Sequence, residues 1–500
     1  MAKKKISHIY EINTRIWLKE LSHRYQSEIK LDTIPDEEIT GIRKFGFDAV
    51  WLMGVWRSSG RGRDIALHHE GLRSEFLKVF PDLKPEDIGC SPYSVAGYEI
   101  DSSLGDRKSI LDFKKRLNRH GIKLLLDFVP NHVALDHPWV KTKPQLFING
   151  SEADIRNNPE TFFTVDNYKT IVAYGKDPYF PAWTDVAQLN YFNPQTRKSI
   201  HDVVLSIAQL CDGLRCDMAM LILKRIQREI WGDRVFNSNK FDEPDQEFWQ
   251  EVIVDVKQSY PGFIFIAEVY WGLETELLLL GFDYAYDKPF YDALKEMDIG
   301  KLKGVLTEHD DVCNKNLRFI ENHDEDRAVT AFGVEKSMAA ALIMTITPGV
   351  QLFHQGQLEG FKIRLPVQLI RRPEEKTDQR INSFYKMLLS NTDTIMQGDN
   401  SWILLEPSPA WEGNRTNDNF IGVFNSNHFL LIINYSASQS QCYLHLPVAD
   451  IFSGTENLTF EDMANPVEYI RSREEIVSRG LYLDITPYGF HLFKVSGEHE

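Results

Sequence analysis

Short apolar runs, rich in β-branched and aromatic side chains, alternate through most of the chain with amphipathic segments of helical period. Parallel strands need long crossovers, usually helical ones, so this rhythm predicts a sheet of parallel strands. The runs fall at residues 8–17, 47–52, 122–129, 213–218, 263–269, 282–286, 317–320 and 349–353, each continuously apolar in the way a strand buried on both faces must be. Helical patterns lie between them at 110–118, 199–210, 248–258, 337–345 and 381–389, with Gly121, Gly213, Gly262 and Gly281 near their ends as stops. Eight such units predict closure into a (β/α)8 barrel of the α/β class.

Two connections, 56–105 after the second strand and 133–194 after the third, are too long for plain loops. Both leave from the C-terminal ends of strands, the face where barrel enzymes carry their sites. From about residue 398 the rhythm shortens to alternating runs at 402–405, 421–424, 428–433, 441–446, 481–485 and 489–494, divided by Asn, Ser and Gly clusters, which predicts a C-terminal antiparallel β-sandwich. The expected domains are a barrel of residues 1–132 and 195–397, an insert of 133–194 and an all-β domain of 398–500.

Composition narrows the picture. With 500 residues, 43% of them hydrophobic and 12% aromatic, the chain can bury a large core, so disorder is excluded. A formal charge of −16, spread without a tail of one sign, argues against nucleic acid as a partner. No stretch reaches the roughly 18 apolar residues of a membrane span, and the stretch after Lys3 to Lys5 carries His8, Glu11, Asn13 and Arg15, so neither membrane nor export is expected. The cysteines (Cys90, Cys211, Cys216, Cys313, Cys442) lack CxxC spacing and suit reduced thiols in a cytoplasm.

Four predicted strands end in polar residues. The third runs through Asp127 to Asn131 and His132, the fourth through Arg215 to Asp217, the fifth to Glu268, and the seventh through Phe319 to Asn322, His323 and Asp324. One carboxylate after an apolar run is as well explained by a helix cap or a solvated loop. Several converging on one barrel mouth repel and desolvate one another, an arrangement kept chiefly where chemistry uses it. Retaining glycoside hydrolysis needs such a pair, one carboxylate attacking the anomeric carbon and another protonating the leaving oxygen. Alternate strand residues point the same way, so Arg215 is expected to hold Asp217 ionised as the nucleophile. The apolar run before Glu268 is expected to keep that carboxyl protonated as the acid. Asp324 remains for the substrate hydroxyls and the transition state.

These four stretches, in this order, resemble the signature regions of glycoside hydrolase family 13, the α-amylase family, and the likeness extends across essentially the whole chain. The resemblance implies that Asp217 is nucleophile, Glu268 acid/base and Asp324 transition-state stabiliser. It likewise implies that Asp127, His132, Arg215 and His323 bind the sugar at the cleaved position, and that Tyr93, in Ser91-Pro92-Tyr93-Ser94-Val95, is the stacking tyrosine. Residues 133–194 correspond to the family's inserted domain B, whose aromatics here (Trp139, Phe162, Tyr179, Phe180, Trp183) suit either sugar stacking or packing. The implied substrate is an α-glucan oligosaccharide or a small α-glucoside.

The chain departs from many α-amylases in two linked places. Ala219 is followed by Met220 and Leu221 where a Lys-His pair is common, and Gln188, in Val186-Ala187-Gln188-Leu189-Asn190, stands where an Asp is common. In the family that Asp, the carbonyl of that His and the strand-three Asn, here Asn131, hold a structural calcium. A hard cation wants charged oxygens, so no cofactor and no metal are expected here. The triad does not separate hydrolysis from transfer to another sugar, so transglycosylase, maltosyltransferase or isomerase action stays open, as does a catalytically silent binding role. His68, His69 and Glu70, or His132, Asp136 and His137, lack the spacing of a hydrolytic zinc site.

Overall fold

The computed structural model describes residues 6–165, 170–237, 240–307, 312–395, 402–465 and 467–497. Eight parallel strands close into a barrel: His8–Asn13, Ala49–Met53, Lys123–Phe128, Gly213–Cys216, Ile264–Ala267, Tyr284–Tyr286, Asn316–Arg318 and Val350–His354. Their order round the barrel follows their order in the chain, so all eight apolar runs become barrel strands. The register sets Arg215 of the fourth strand level with Asp127 of the third and Ile266 of the fifth.

Strand ends are where the sequence reading needs correction. The first run was expected to continue to residue 17, yet the strand stops at Asn13 and Thr14–Arg24 is helical. The Asn13 side chain accepts the N–H of Ile16 and caps that helix, whose Ile16, Trp17, Leu18 and Leu21 are buried. An apolar run cannot by itself tell strand from buried helix. Gly213 is likewise no helix stop: it opens the fourth strand, where a Cβ would come 2.6 Å from the Ile264 carbonyl oxygen. Gly121 and Gly281 do stop helices, with φ of +73° and +110°.

The chain divides into two compact units. The first comprises Met1–Arg43, Phe47–Tyr286 and Arg364–Glu374. Within it the long connection after the second strand holds the antiparallel pair of Trp56–Ser58 and Val95–Ile100 and, between them, the helices Gly60–His68 and Glu70–Val79. The connection after the third strand builds a sheet in the order His132–Ala134, Trp183–Gln188, Thr170–Gly175, Phe162–Val165. Phe162 packs into a small core with Ile148, Ile171 and Trp231, so it is a packing residue, whereas Tyr179 and Phe180 are 67% and 69% exposed.

The second unit comprises Lys44–Gly46, Asp287–Ile363 and Glu375–Glu500. Its C-terminal part is two antiparallel sheets, one of six strands and one of three, sharing a core that includes Leu430, Ile432, Leu444, Phe460 and Leu483. The boundary expected at residues 397 and 398 lies outside the described residues. Three strands had no counterpart in the expected set: Pro407–Pro409, Asn457–Asp462 and Val467–Ser472. The first is bracketed by prolines and the last is an edge strand with almost no buried side chain, so neither carries an alternating pattern.

Candidate active site

Arg215 is the centre of the first unit's polar cluster. It lies on a strand of four fully buried residues and is itself 1% exposed. Its Nη1 sits 3.0 Å from Asp217 Oδ1 and its Nη2 2.7 Å from Glu268 Oε1, so one guanidinium is paired with both carboxylates. Its Nε donates to the Tyr286 hydroxyl at 3.2 Å. The rings of Trp51, Tyr93 and Tyr286 lie 5.1, 5.3 and 5.5 Å from the guanidinium carbon, a cation-π cage. Burial opposes the charge, but Glu268 and the other anionic partners outweigh it and hold Arg215 protonated well above its ordinary range.

The chain leaves the barrel directly after Asp217 through Met218, whose φ of 42° is left-handed. That turn aims the Met218 N–H at Glu268 Oε2, 2.6 Å away, and the Tyr270 hydroxyl donates to Oε1 at 2.9 Å. The expectation of an apolar pocket round Glu268 is therefore corrected. The preceding Ile264–Ala267 strand is buried, but the carboxyl group meets a guanidinium cation, a backbone N–H and a phenol. Strand flanks report burial of the backbone, whereas donors to a side chain arrive from neighbouring strands and loops.

Asp127, 1% exposed, accepts the Trp51 indole N–H at 3.1 Å and the Gly54 N–H at 3.1 Å, while its carbonyl takes the Trp56 indole at 2.7 Å. It thereby fixes Trp51, one wall of the Arg215 cage. His132 is buried against the edge of Trp183, with ring centres 5.3 Å apart. Burial pushes its imidazole down to about 3, only partly offset by a backbone hydrogen bond to Tyr93, so it works as a neutral ring. Tyr93 is half-buried. Trp51, Tyr270 and Tyr286 were missed from sequence. The signal for Tyr286 is its place at the end of the sixth run, the position that marks the candidate site residues of the other strands.

In the second unit Asn322 accepts the N–H groups of Asp324 and Glu325, both at 2.9 Å, and so shapes the turn after the seventh barrel strand. His323 is buried and its Nε2 lies 3.0 Å from Asp324 Oδ2, whose side chain is 51% exposed. Behind the turn Glu321 is buried on Arg327 at 2.6 Å and on the Ala328 N–H at 2.7 Å, and Arg327 also reaches His354 Nδ1 at 2.9 Å.

The histidines weighed as metal ligands have local duties. His69 Nδ1 accepts the Leu72 N–H and His137 Nδ1 the Trp139 N–H, each capping a helix. Among the described residues no group of three His, Cys, Asp or Glu side chains is arranged to hold a metal. The positions implied for calcium do not fit one: Asn131 and Gln188 are hydrogen-bonded to each other, with the Gln188 amide nitrogen turned toward the oxygens a cation would need.

Residues 36–397 match the family model for the alpha amylase catalytic domain. Alpha-amylase MalA of Haloarcula japonica is 26% identical over 401 residues, which cover 76% of this chain and 48% of that protein. Alpha-amylase 3 of Dictyoglomus thermophilum is 26% identical over 320 residues, 60% of this chain and 59% of its own. The chain thus spans about half to three-fifths of the length of these relatives. Among solved structures, the maltogenic alpha-amylase AmyB from Thermotoga neapolitana superposes with a TM-score of 0.63 at 18% identity, covering 99% of both chains.

Proposed function

Since the chain belongs to the alpha-amylase catalytic-domain family, we propose that it cleaves α-glucosidic bonds in oligosaccharides or small α-glucosides by double displacement with net retention. The observation that carries this reading is the single guanidinium of Arg215 paired with both Asp217 and Glu268. Sharing one cation keeps two carboxylates close, as retaining hydrolysis requires with its spacing of about 5 Å. Asp217 attacks the anomeric carbon and forms a glycosyl-enzyme ester while Glu268, steadied by Tyr270 and Met218, gives its proton to the leaving oxygen. Glu268 then takes a proton from the incoming water, which releases the sugar and restores Asp217.

Asp324, oriented by His323, stabilises the oxocarbenium-like transition state. Arg215, His132, His323 and Tyr93 bind the sugar at the cleaved bond, and Asp127 supports them through Trp51. Neutral His132 serves hydrogen bonding to hydroxyls without adding charge. The four described cysteines are buried and free, which supports a reducing, cytoplasmic setting, and no helix among the described residues is long and apolar enough to cross a membrane.

The test is incubation of the purified protein with maltooligosaccharides beside an Asp217→Asn variant, with products followed by chromatography. Shorter sugars are expected, and the variant is expected to be slower by at least about 10⁴-fold, the scale on which loss of a catalytic nucleophile is felt. Sugars longer than the input would replace hydrolysis by transglycosylation. Equal inertness of both proteins on these and on sucrose, trehalose and maltose 1-phosphate would overturn the catalytic reading in favour of a binding role.

A further inference from the structure

Gln188 ends the insert strand Trp183–Gln188 and is fully buried. Its Nε2 lies 2.8 Å from Asn131 Oδ1, 3.0 Å from the Asn131 carbonyl oxygen and 3.1 Å from the Leu189 carbonyl oxygen. Its Oε1 accepts from Asn131 Nδ2 at 3.2 Å. Only the NH2 end of the amide can face two carbonyl oxygens, so the neighbours fix which way the group points. Around it the polar groups are also neutral: Gln227 donates to the Leu189 carbonyl at 3.0 Å and accepts the Tyr191 N–H at 2.8 Å, and Asn190 donates to the Val235 carbonyl at 2.9 Å.

Three oxygens converging on one point are the start of a site for a hard cation, which a carboxylate at position 188 would complete. We propose that the Gln188 carboxamide occupies that point in place of a cation, as a tethered neutral donor whose two N–H bonds are shared among the three oxygens. The clamp joins the insert strand to the segment that leaves the third barrel strand and makes that junction indifferent to divalent ions and to chelators. It also positions His132, whose backbone pairs with Gln188 in the insert sheet and whose Nδ1 lies 3.4 Å from Asn131 Nδ2. The proposal rests on the family reading only for the choice of calcium as the ion replaced.

Thermal unfolding of the full chain with excess calcium and with chelator tests it, without any need for substrate. The wild type is expected to have one Tm in both conditions. Gln188→Glu has the same shape but turns an oxygen toward three oxygens, so its Tm is expected to fall by several degrees in chelator and to recover with calcium but not with potassium. Gln188→Leu is expected to be weakened and to gain nothing from calcium. A wild-type Tm that drops in chelator would overturn the proposal, even if the Glu variant fails to fold. So would a Gln188→Glu protein as stable as wild type in chelator, or one that calcium does not restore.

Discussion

The fourth and fifth strand ends and the Asn131–Gln188 junction are both buried, both polar and both in the first unit, yet they are made of opposite materials. Arg215, Asp217 and Glu268 place three ionisable groups where side chains are less than a tenth exposed. Asn131, Gln188, Asn190 and Gln227 place none in an equally dry setting. Removing an ion from water costs several kcal/mol even after relaxation, and an amide far less, so structural joining alone is better served by neutral groups. The difference is the one expected if the charged cluster has the proposed role on a substrate and the neutral one holds two parts of the fold together.

The largest effect should come from removing the cation that balances the charged cluster. Arg215→Met leaves two carboxylates buried without their shared partner, and stability is expected to fall by about 3–5 kcal/mol, read from the denaturant midpoint. Adding Asp217→Asn and Glu268→Gln to that variant should restore most of the loss, because the uncompensated charge is gone. If the triple variant is no more stable than Arg215→Met, packing of the guanidinium against Trp51, Tyr93 and Tyr286 carries the stability instead of charge balance.

The neutral network should respond more mildly to the same kind of damage. Gln188→Leu strands the side-chain oxygen of Asn131 without its donor, which costs about 1–3 kcal/mol, while the Asn131 carbonyl keeps the Leu189 N–H and the Leu189 carbonyl keeps Gln227. Equal losses for Arg215→Met and Gln188→Leu would remove the distinction between the two networks.

Much of this contrast was legible in the chain itself, and the limits have physical causes. Barrel strands buried on both faces leave continuous apolar runs, which is why all eight could be placed, though the first was drawn through the Asn13 cap into a helix. The pairing of Arg215 with Asp217 follows from strand alternation alone. The pairing of Arg215 with Glu268 does not, because it depends on the register between two strands and on a left-handed turn at Met218. The replacement of an expected Asp by Gln188 could be read as a missing charge, whereas the reciprocal amide bonds that fill its place required the fold.

The mildest expected effect lies in acid. Burial pushes His132 down to about 3 and, helped by nearby Arg57, His137 down to about 4, against about 6.5 in an unfolded chain. Between those values the unfolded chain binds protons that the native fold refuses, so native stability is full above about pH 6.5 and declines as the pH falls toward 4. His137 gives the decline a structural cost, since its Nδ1 must stay unprotonated to accept the Trp139 N–H. His132→Gln should therefore flatten the dependence of Tm on pH in that window and leave the difference between variant and wild type constant above pH 7. A slope unchanged by the substitution would mean that His132 takes up a proton in the native fold as readily as in the unfolded chain, and the neutral ring assigned to the sugar contact would have to be given up.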